Sequence, residues 1–549
     1  MSHPQAANRV EMYDTTLRDG AQTEGVSFSL ADKIKITEIL DELGVDVIEG
    51  GYPLSNPKDE AYFNAVRGMT FQNSRIASFG MTRRRGVAPV DDEGMRALVA
   101  AETPVVTIVG KTWDLHVDEV LRVSRQENLD MVAESVAFCS ESGREVFYDA
   151  EHFFDGFRAN SDYALKTLLA AKQAGATRFI LCDTNGGSLP EHINEALWAA
   201  RAMLGPDTLF GIHCHNDGGL AVANTLAAVK QGAFQVQGTI NGIGERCGNV
   251  DLLVVAANLQ LKMGLDCLRG SSSLNRLTDV SRYVYEVANM APIHNQAFVG
   301  SSAFAHKGGM HVHAIARLAR SYEHIDPTAV GNGRKILVSE LSGQSNIAEL
   351  VGRKFGLSED KALLRRVLNR VQDLENVGYV FEAAEACLEL LVRTELGQRK
   401  PYWNHRYYRC IVRKLAGEAP CTEATVKTVV GGVLEQHVAE GSGPVHALDS
   451  ALRKGLRTYY PQVDGLHLRD YKVRVVSGVK ETAAKVRVVT DFVVLDEAGH
   501  TTRTFSTVGV SENIVDASWE ALIDAFEYHL IECGVVPVEA VERQPEQRG

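Results

Sequence analysis

The sequence predicts a closed (β/α)8 barrel, followed by helical subdomains and a C-terminal α+β module. From Val10 to Met263, strand-like apolar runs alternate with amphipathic helical stretches eight times, which fills the usual length of such a barrel. Polar side chains follow nearly every run, and only a ring of strands brings all of those carboxyl ends to one mouth. A doubly wound open sheet is the alternative fold.

Each barrel strand is predicted from a short apolar run, and each helix from the helical spacing that follows it. In Ser29–Leu43, Ser29 and Asp32 form a capping-box pattern, and Ser161–Gly175 ends on the kind of glycine that closes a helix. The predicted strands are Val10–Asp14, Asp46–Gly50, Arg75–Phe79, Val105–Gly110, Glu145–Ala150, Arg178–Asp183, Leu209–His213 and Gln235–Ile240.

The expected domains are a catalytic barrel at 1–280, linking subdomains at 281–400 and a C-terminal domain at 401–549. The linking part shows helical spacing in Lys361–Val371 and Tyr379–Val392. The C-terminal part contains a weak internal repeat, two strand-like runs followed by a helix, which predicts a pseudo-symmetric pair of ββα units. Its predicted elements are strands at Tyr407–Lys414, Thr422–Val430, Tyr471–Val476 and Lys485–Leu495, and helices at His446–Leu456 and Asp516–Leu530.

The composition excludes several classes of protein. With 70 acidic against 57 basic residues the net charge is −13, which repels nucleic-acid backbones and anionic membrane surfaces. No apolar stretch in the sequence has the length that spans a bilayer. The nine cysteines are scattered without a Cys-x-x-Cys pair, which indicates unpaired thiols in a reducing cytoplasm. These features favour a cytoplasmic protein that acts on small molecules.

The segment His213-Cys214-His215 carries the strongest chemical signal. It ends an apolar run, and side chains two apart on a strand face the same side, so both imidazoles point one way. Asp19 follows an early apolar run. Two histidines and one carboxylate can hold a divalent cation while leaving coordination positions open to a substrate. We therefore predict that these three residues bind a metal ion; a histidine pair bonded to solvent or backbone is the alternative.

Other residues at strand ends suit a small 2-oxo acid, whose carboxylate and keto oxygens can chelate a cation together. Arg18 can neutralise the alkoxide that develops as the keto carbon is attacked, and a purely structural ion pair is its alternative. Glu151 can bind a substrate hydroxyl or help to activate a water, and Thr184 can hold a carboxylate.

Two further groups lie in polar segments. Asn249 ends the glycine-rich segment Gly242–Asn249, whose third glycine comes too late for a dinucleotide-binding fingerprint. Asn249 could be a further metal ligand, a hydrogen-bond partner of a metal ligand, or the N-cap residue of a helix. His306, His311 and His313 cluster outside the barrel. A histidine can abstract a proton α to a thioester carbonyl, whereas loop histidines bonded to backbone are the alternative.

Four motifs together resemble the family of 2-isopropylmalate, homocitrate and citramalate synthases. They are Asp14–Gln22, His213–Asp217, Gly242–Asn249 and Phe304–His313, in the family's order, and the resemblance covers nearly the whole chain. It implies an acyltransferase that condenses acetyl-CoA with a 2-oxo acid and uses Mg²⁺, Mn²⁺ or Zn²⁺. The C-terminal module resembles the family's regulatory domain, which implies allosteric control by a branched-chain amino acid.

The resemblance also assigns roles to single residues. The roles are metal binding for Asp19, His213 and His215 with Asn249 nearby, alkoxide stabilisation for Arg18, substrate binding for Glu151 and Thr184, and proton abstraction for His311 with Tyr322 beside it. In the family the last two come from the partner subunit, which implies a homodimer. His313 stands where relatives often have aspartate, and this departure weakens any acid–base role at that position.

Within the family, the segments Glu49–Asp59, Ser78–Arg84, Val377–Ala384 and Val510–Ile514 look most like the citramalate synthase branch. This implies pyruvate as the acceptor and citramalate, a precursor of isoleucine, as the product. The nearest alternative is a 2-isopropylmalate synthase that uses 2-oxoisovalerate in leucine biosynthesis. More distant alternatives are a lyase or aldolase on the same barrel, a catalytically idle amino-acid sensor, and a non-haem iron oxygenase.

Overall fold

The computed structural model describes residues 8–269, 274–337, 347, 354–356, 360–382, 384–417, 419–476, 484–496 and 500–539. The chain divides into two compact units, one of Met1–Phe304 with Glu323–Arg334 and one of Ala305–Tyr322 with Lys335–Gly549. Within the described ranges, no helix has both the length and the apolar character needed to cross a bilayer.

The first unit is built on a closed barrel of eight parallel strands in sequence order, which confirms the predicted fold. The first strand pairs with both the second and the eighth, and this double pairing closes the ring. The strands are β1 Glu11–Asp14, β2 Val47–Gly51, β3 Arg75–Met81, β4 Val105–Lys111, β5 Glu145–Glu151, β6 Arg178–Asp183, β7 Phe210–Cys214 and β8 Gln235–Gly238.

Helices follow the barrel strands as the spacing predicts. The capping box of Ser29 and Asp32 is present at the start of the first helix, and Gly175 takes a left-handed conformation just beyond the end of the sixth. The helices of this unit are α1 Leu30–Leu43, α2 Pro57–Val66, α3 Glu93–Ala100, α4 Arg125–Glu141, α5 Phe153–Ala159, α6 Ser161–Gln173, α7 Pro190–Leu204, α8 Ala221–Lys230, α9 Leu252–Met263 and α10 Leu277–Val287.

The barrel is a packed core at mid-height and polar at its carboxyl-terminal end. The apolar layer is Tyr13, Val47, Ala77, Val105, Phe147, Ile180 and Cys182, all buried. One pleat further along the strands, inward positions carry Glu49, Thr107, Asp149 and His213, also buried. Because polar groups are buried only where they have partners or a function, this upper layer marks the mouth of the barrel as the place for chemistry.

The second unit contains short elements followed by two similar sheets. Its helices are α11 Gly309–Arg317, α12 Lys361–Asn376, α13 Glu385–Glu395, α14 Pro444–Leu456 and α15 Ile514–Glu532. Its strands are β9 Ala305–His306, β10 Lys335–Ile336, β11 Asn404–Arg413, β12 Cys421–Val430, β13 Val433–Gly441, β14 Leu466–Val475, β15 Val486–Leu495 and β16 Thr501–Ser511.

The internal repeat is present, but the ββα description of it is wrong. Each repeat is a three-stranded antiparallel sheet followed by a helix, and β13 and β16 are the strands that the sequence analysis missed. The turn before β13 is Gly431-Gly432 with φ of 54° and 81°, values that suit a tight hairpin. This glycine pair is the signal that could have shown the third strand.

The predicted helix at Tyr379–Val392 is also wrong at its start, because α13 begins only at Glu385. Gly378 has φ of 116°, which ends the preceding helical region. Tyr379 then donates a hydrogen bond of 3.0 Å to Glu520, and the ring of Phe381 is buried. The apolar spacing of these two rings therefore serves an irregular packed turn and not a helical face.

Candidate active site

Three side chains from opposite ends of the barrel sequence meet at its mouth. Asp19 follows β1, His213 lies in β7 and His215 is just beyond it, and one ligand atom from each lies within 4.8 Å of the other two. All three residues are buried. Nε2 of His213 is 3.2 Å from Oδ2 of Asp19. The structure thus brings together the residues that the sequence analysis singled out.

Unpartnered atoms in this cluster show that it fits a cation. Among the described residues, Nδ1 of His215 and Oδ1 of Asn249 are buried and lack a hydrogen-bond partner, and Oδ2 of Asp19 lies against Nε2 of His213, itself a candidate ligand atom. Buried polar atoms nearly always have a partner, and leaving one unsatisfied costs about 1–3 kcal/mol. A divalent cation would satisfy such electron-pair donors, and the two-histidine, one-carboxylate set suits Mg²⁺, Mn²⁺ or Zn²⁺.

The electrostatics keep two of these groups in the form that binds a cation. Burial alone would raise the pKa of Asp19, but the charge of Arg18 and the imidazole of His213 hold it well below its usual range. Burial and the neighbouring His213 lower the pKa of His215 to about 4. Near neutral pH Asp19 is therefore a carboxylate and His215 a neutral imidazole, as metal ligation requires.

His213 is oriented from behind by a chain of polar groups that the sequence analysis did not predict. Its Nδ1 lies 3.1 Å from Oε1 of Gln237, and Nε2 of Gln237 donates to Oδ1 of Asp149 at 3.2 Å. An amide oxygen facing Nδ1 selects the tautomer that carries its proton there, so Nε2 is left to face Asp19. Gln237 and Gln235 are two polar residues alternating in a buried strand, and that pattern was the available signal.

Arg18 is held beside Asp19 by Glu49. Its Nε donates to Oε1 of Glu49 at 2.5 Å, and its guanidinium stacks 4.0 Å above the ring of Phe79. One terminal nitrogen lies 3.6 Å from Oδ1 of Asp19. Burial would lower the pKa of Arg18, but Glu49 and Asp19 raise it, so the cation is permanent. The arginine is an immobilised positive charge next to the metal ligands, as the predicted role requires.

Asn249 lies at the end of the glycine-rich loop Gly242–Asn249. A β-bridge joins it to His215, and its Oδ1 is one of the unpartnered atoms described above. Gly248 has φ of +86°, and a Cβ there would lie 2.0 Å from the carbonyl oxygen of Gly242. A Cβ on Gly244 would lie 2.5 Å from Nδ2 of Asn249. The glycines are therefore needed so that the backbone can close tightly behind this asparagine.

Glu151 and Thr184 lie at the ends of neighbouring strands of the same barrel. Glu151 is the last residue of β5, and its carboxylate forms an ion pair with Lys111, the last residue of β4. Oγ1 of Thr184 accepts a hydrogen bond of 2.9 Å from the backbone N–H of His152. Lys111 was not among the predicted site residues.

His311 and Tyr322 belong to the second unit, apart from the barrel residues. Their ring centroids are 4.3 Å apart with a tilt of 32°. His311 lies in α11, where its side chain is exposed, and Tyr322 is 44% exposed. The histidine and tyrosine thus form the neighbouring pair that the family resemblance implies, and their part in catalysis remains a prediction.

The fold and the Asp-His-His cluster define a closed parallel barrel with a group of side chains that could hold a metal ion near the carboxyl ends of its strands β1 and β7. Residues 9–284 match the HMGL-like family model, 298–378 the homocitrate synthase post-HMGL domain-like model, and 382–530 the LeuA allosteric (dimerisation) domain.

The chain is 49% identical to an (R)-citramalate synthase of Geobacter sulfurreducens, over 95% of this chain and 97% of the relative. It is 47% identical to the (R)-citramalate synthase of Aquifex aeolicus, over 96% of this chain and 98% of the relative. A probable 2-isopropylmalate synthase of Methanopyrus kandleri is 32% identical, over 94% and 97%. The chain therefore belongs to the citramalate, homocitrate and 2-isopropylmalate synthase family, whose members are metal-dependent acyltransferases that condense acetyl-CoA with a 2-oxo acid.

Proposed function

We propose that this enzyme condenses acetyl-CoA with pyruvate and hydrolyses the resulting thioester, giving (R)-citramalate and CoA. The observation that carries the proposal is the buried Asp19, His213 and His215 cluster, with its unpartnered ligand atoms, beside the fixed Arg18. The choice of pyruvate is supported by the relatives of 44–49% identity, which are (R)-citramalate synthases, whereas the probable 2-isopropylmalate synthase is 32% identical. Citramalate is a precursor of isoleucine, so the reaction would serve branched-chain amino-acid biosynthesis.

The barrel residues bind and activate the acceptor. Asp19, His213 and His215, with Asn249 as a further donor, would hold a divalent cation, which supplies Lewis-acid polarisation of the keto carbonyl when bound. Arg18 stabilises the negative charge that develops on the keto oxygen, because its guanidinium is fixed in place before the reaction begins. Thr184 binds the pyruvate carboxylate, since its hydroxyl proton is available while Oγ1 accepts from backbone.

The proton transfers are assigned to two other residues. His311, with Tyr322 beside it, removes a proton from the methyl group of acetyl-CoA, and the enolate carbon adds to the keto carbon of pyruvate. Glu151 then binds the water that attacks the thioester. His311 and Tyr322 act on the barrel of a partner subunit in this proposal, which makes a homodimer necessary for activity.

The domain organisation follows from the same proposal. Residues 1–280 form the catalytic barrel, 281–400 contribute to the active site, and 401–549 form the allosteric domain. A dimer is supported by the match to the LeuA allosteric (dimerisation) domain. It is also supported by apolar side chains on the outer face of the β11–β13 sheet, where Tyr407, Ile411, Leu434 and Val438 are 43–56% exposed. All nine cysteines are thiols, which supports the cytoplasmic location.

A cavity in the C-terminal module suits the amino-acid effector. It has a volume of about 400 Å³ and lies between the start of α14 and the second sheet. Gly443 caps α14 without a side chain, so backbone N–H groups there can bind a carboxylate. Asp449 can bind an ammonium group, and Phe492 and Leu522 offer an apolar wall to a branched side chain. Isoleucine, the end product, is the proposed ligand.

A panel of 2-oxo acids tests the function directly. The enzyme is assayed for release of the CoA thiol from acetyl-CoA with pyruvate, 2-oxoisovalerate, 2-oxobutyrate and 2-oxoglutarate at equal concentrations. We expect pyruvate to give the highest kcat/KM. A higher value with 2-oxoisovalerate would identify a 2-isopropylmalate synthase, and turnover with none of the acids would favour the amino-acid sensor.

A further inference from the structure

Lys111 and Glu151 end β4 and β5, and β7, two strands further along the barrel wall, carries the candidate metal ligand His213. Lys111 pairs in register with Glu151 across β4 and β5. The next pairing places Ala150 beside Leu181, and Cys182, one residue further along β6, pairs with His213. The lysine, the glutamate and the histidine thus belong to the carboxyl-terminal part of one continuous wall.

The side chains of Lys111 and Glu151 point to the barrel interior. Thr107, four residues before Lys111, bonds the interior hydroxyl of Tyr13 at 2.7 Å. Asp149, two residues before Glu151, bonds the interior amide of Gln237. Because alternate residues of a strand face the same side, the lysine and the glutamate face the hollow above these groups.

The Lys111–Glu151 ion pair is mostly shielded from water. The side chains are 16% and 24% exposed, and Nζ of the lysine contacts Oε2 of the glutamate. The backbone on either side is fixed: Nδ2 of Asn128 donates to the carbonyl of Lys111 at 2.9 Å, and Oγ1 of Thr112 donates to that of Glu151 at 2.6 Å. A shielded ion pair adds little to stability after its desolvation cost, so stability alone does not account for its placement here.

We propose that Lys111 is a positioning residue for the hydrolytic half of the reaction. This rests on the proposed function. Lys111 holds Oε2 of Glu151, so that the other carboxylate oxygen faces the water in the mouth. The water oxygen bonds to the thioester carbonyl carbon while its proton passes to Glu151. The C–S bond then breaks, and the CoA thiolate takes up that proton. Lys111 exchanges no proton in this step.

Loss of Lys111 should slow the hydrolysis of the thioester but not the condensation that forms it, and this difference can be measured. Lys111→Met is compared with wild type by quenching in acid and measuring the condensed citramalyl thioester and free CoA by mass spectrometry. We expect CoA release to fall by about 10-fold or more, because general-base catalysis is worth about 10²–10⁴-fold and depends on orientation. The condensed thioester should accumulate.

Two further variants complete the test. Lys111→Arg keeps a cation within reach of Glu151 and should restore part of the hydrolysis, even if Lys111→Met folds poorly. Lys35→Met removes a lysine whose side chain is 52% exposed and paired with Glu38 on the surface, and it should behave as wild type. Equal losses in condensation and hydrolysis for both Lys111 variants, or no loss, would overturn the proposal. Absence of turnover with pyruvate in the wild type would instead overturn the proposed function.

Discussion

The hydroxyl of Tyr13 donates a hydrogen bond of 2.6 Å to Oε2 of Glu49, while Oε1 of the same carboxylate accepts from Nε of Arg18. The tyrosine and the glutamate are fully buried. The guanidinium of Arg18 is therefore held by a carboxylate that is itself held from inside the barrel. This arrangement fixes Arg18 before the substrate arrives.

Replacing Glu49 should reduce catalysis more than binding of the cation. Glu49→Gln keeps the shape but removes the charge that anchors Arg18, so kcat/KM for pyruvate should fall by about 10²-fold, as for loss of one preorganised donor to a developing oxyanion. Mn²⁺ affinity should change by less than about 3-fold, an estimate based on its distance from the ligand set. Steady-state kinetics measures kcat/KM for pyruvate, and calorimetric titration measures the Mn²⁺ affinity. Glu60→Gln, an exposed residue of α2, is the control; an equal loss of Mn²⁺ affinity would contradict the assigned role.

Removing a metal ligand should abolish cation-dependent stabilisation. Wild type should show a rise in Tm with added Mn²⁺, since a ligand that binds only the native state stabilises it by mass action. Asp19→Ala and His215→Ala should lose that rise and all but a trace of CoA release. Differential scanning calorimetry with and without EDTA reports the effect. The control is Asp162→Ala, at a side chain that is 73% exposed, and it should keep the rise in Tm with Mn²⁺. If Asp19→Ala also kept this rise, the proposed metal site would be refuted.

Gln237 should raise the affinity of the site for a cation by orienting the imidazole of His213. Gln237→Leu removes the acceptor that orients His213, and such changes typically weaken metal binding about 10–100-fold. The free energy of unfolding without metal should change much less than the affinity. Calorimetric titration with Mn²⁺ gives the affinity, and urea denaturation gives the stability. Gln126→Leu, on an exposed position of α4, is the matched control. Unchanged affinity in Gln237→Leu would show that the amide has no part in the site.

In the glycine-rich loop Gly242–Asn249, replacing Gly248 should destabilise the fold much more than replacing Gly264, a glycine elsewhere that serves as the control. Gly248→Ala puts a methyl group 2.0 Å from a carbonyl oxygen in a left-handed conformation, so it should destabilise the fold by about 3 kcal/mol or more and displace Asn249. Gly264→Ala also has positive φ, at +67°, but its Cβ meets no heavy atom of the described residues within 4 Å. It should cost only about 1 kcal/mol. Urea denaturation compares the two, and equal costs would contradict the argument.

The sequence alone predicted the barrel and the meeting of three candidate metal ligands, because both follow from strand patterns. His213 and His215 alternate on one strand, so their common direction follows from strand geometry, and Asp19 joins them once the strands form a ring. Glu49, Lys111 and Gln237 were not given roles, because each acts through a partner far away in sequence. Such pairings are fixed by barrel register, which a single sequence does not reveal.

The same reason explains the errors in the second unit. β13 and β16 each complete a sheet whose outer face is partly exposed, so their apolar signal is diluted. The Tyr379–Phe381 turn has helical-looking spacing, but tertiary contacts decide its shape. Local patterns therefore sufficed for the barrel, where both sides of each strand are buried, and for four of the six strands in the two sheets of the second unit, but not for β13 and β16.

The order of the metal ligands along the chain has a consequence during synthesis. Asp19 emerges from the ribosome early, whereas the two histidines follow only after five more strands, β2 to β6, have been made. A nascent chain therefore lacks the complete set of candidate ligands until its barrel is nearly made, and the three side chains come together only as the strands close into the ring. Translation fragments that end before β7 would thus carry no assembled Lewis-acid centre.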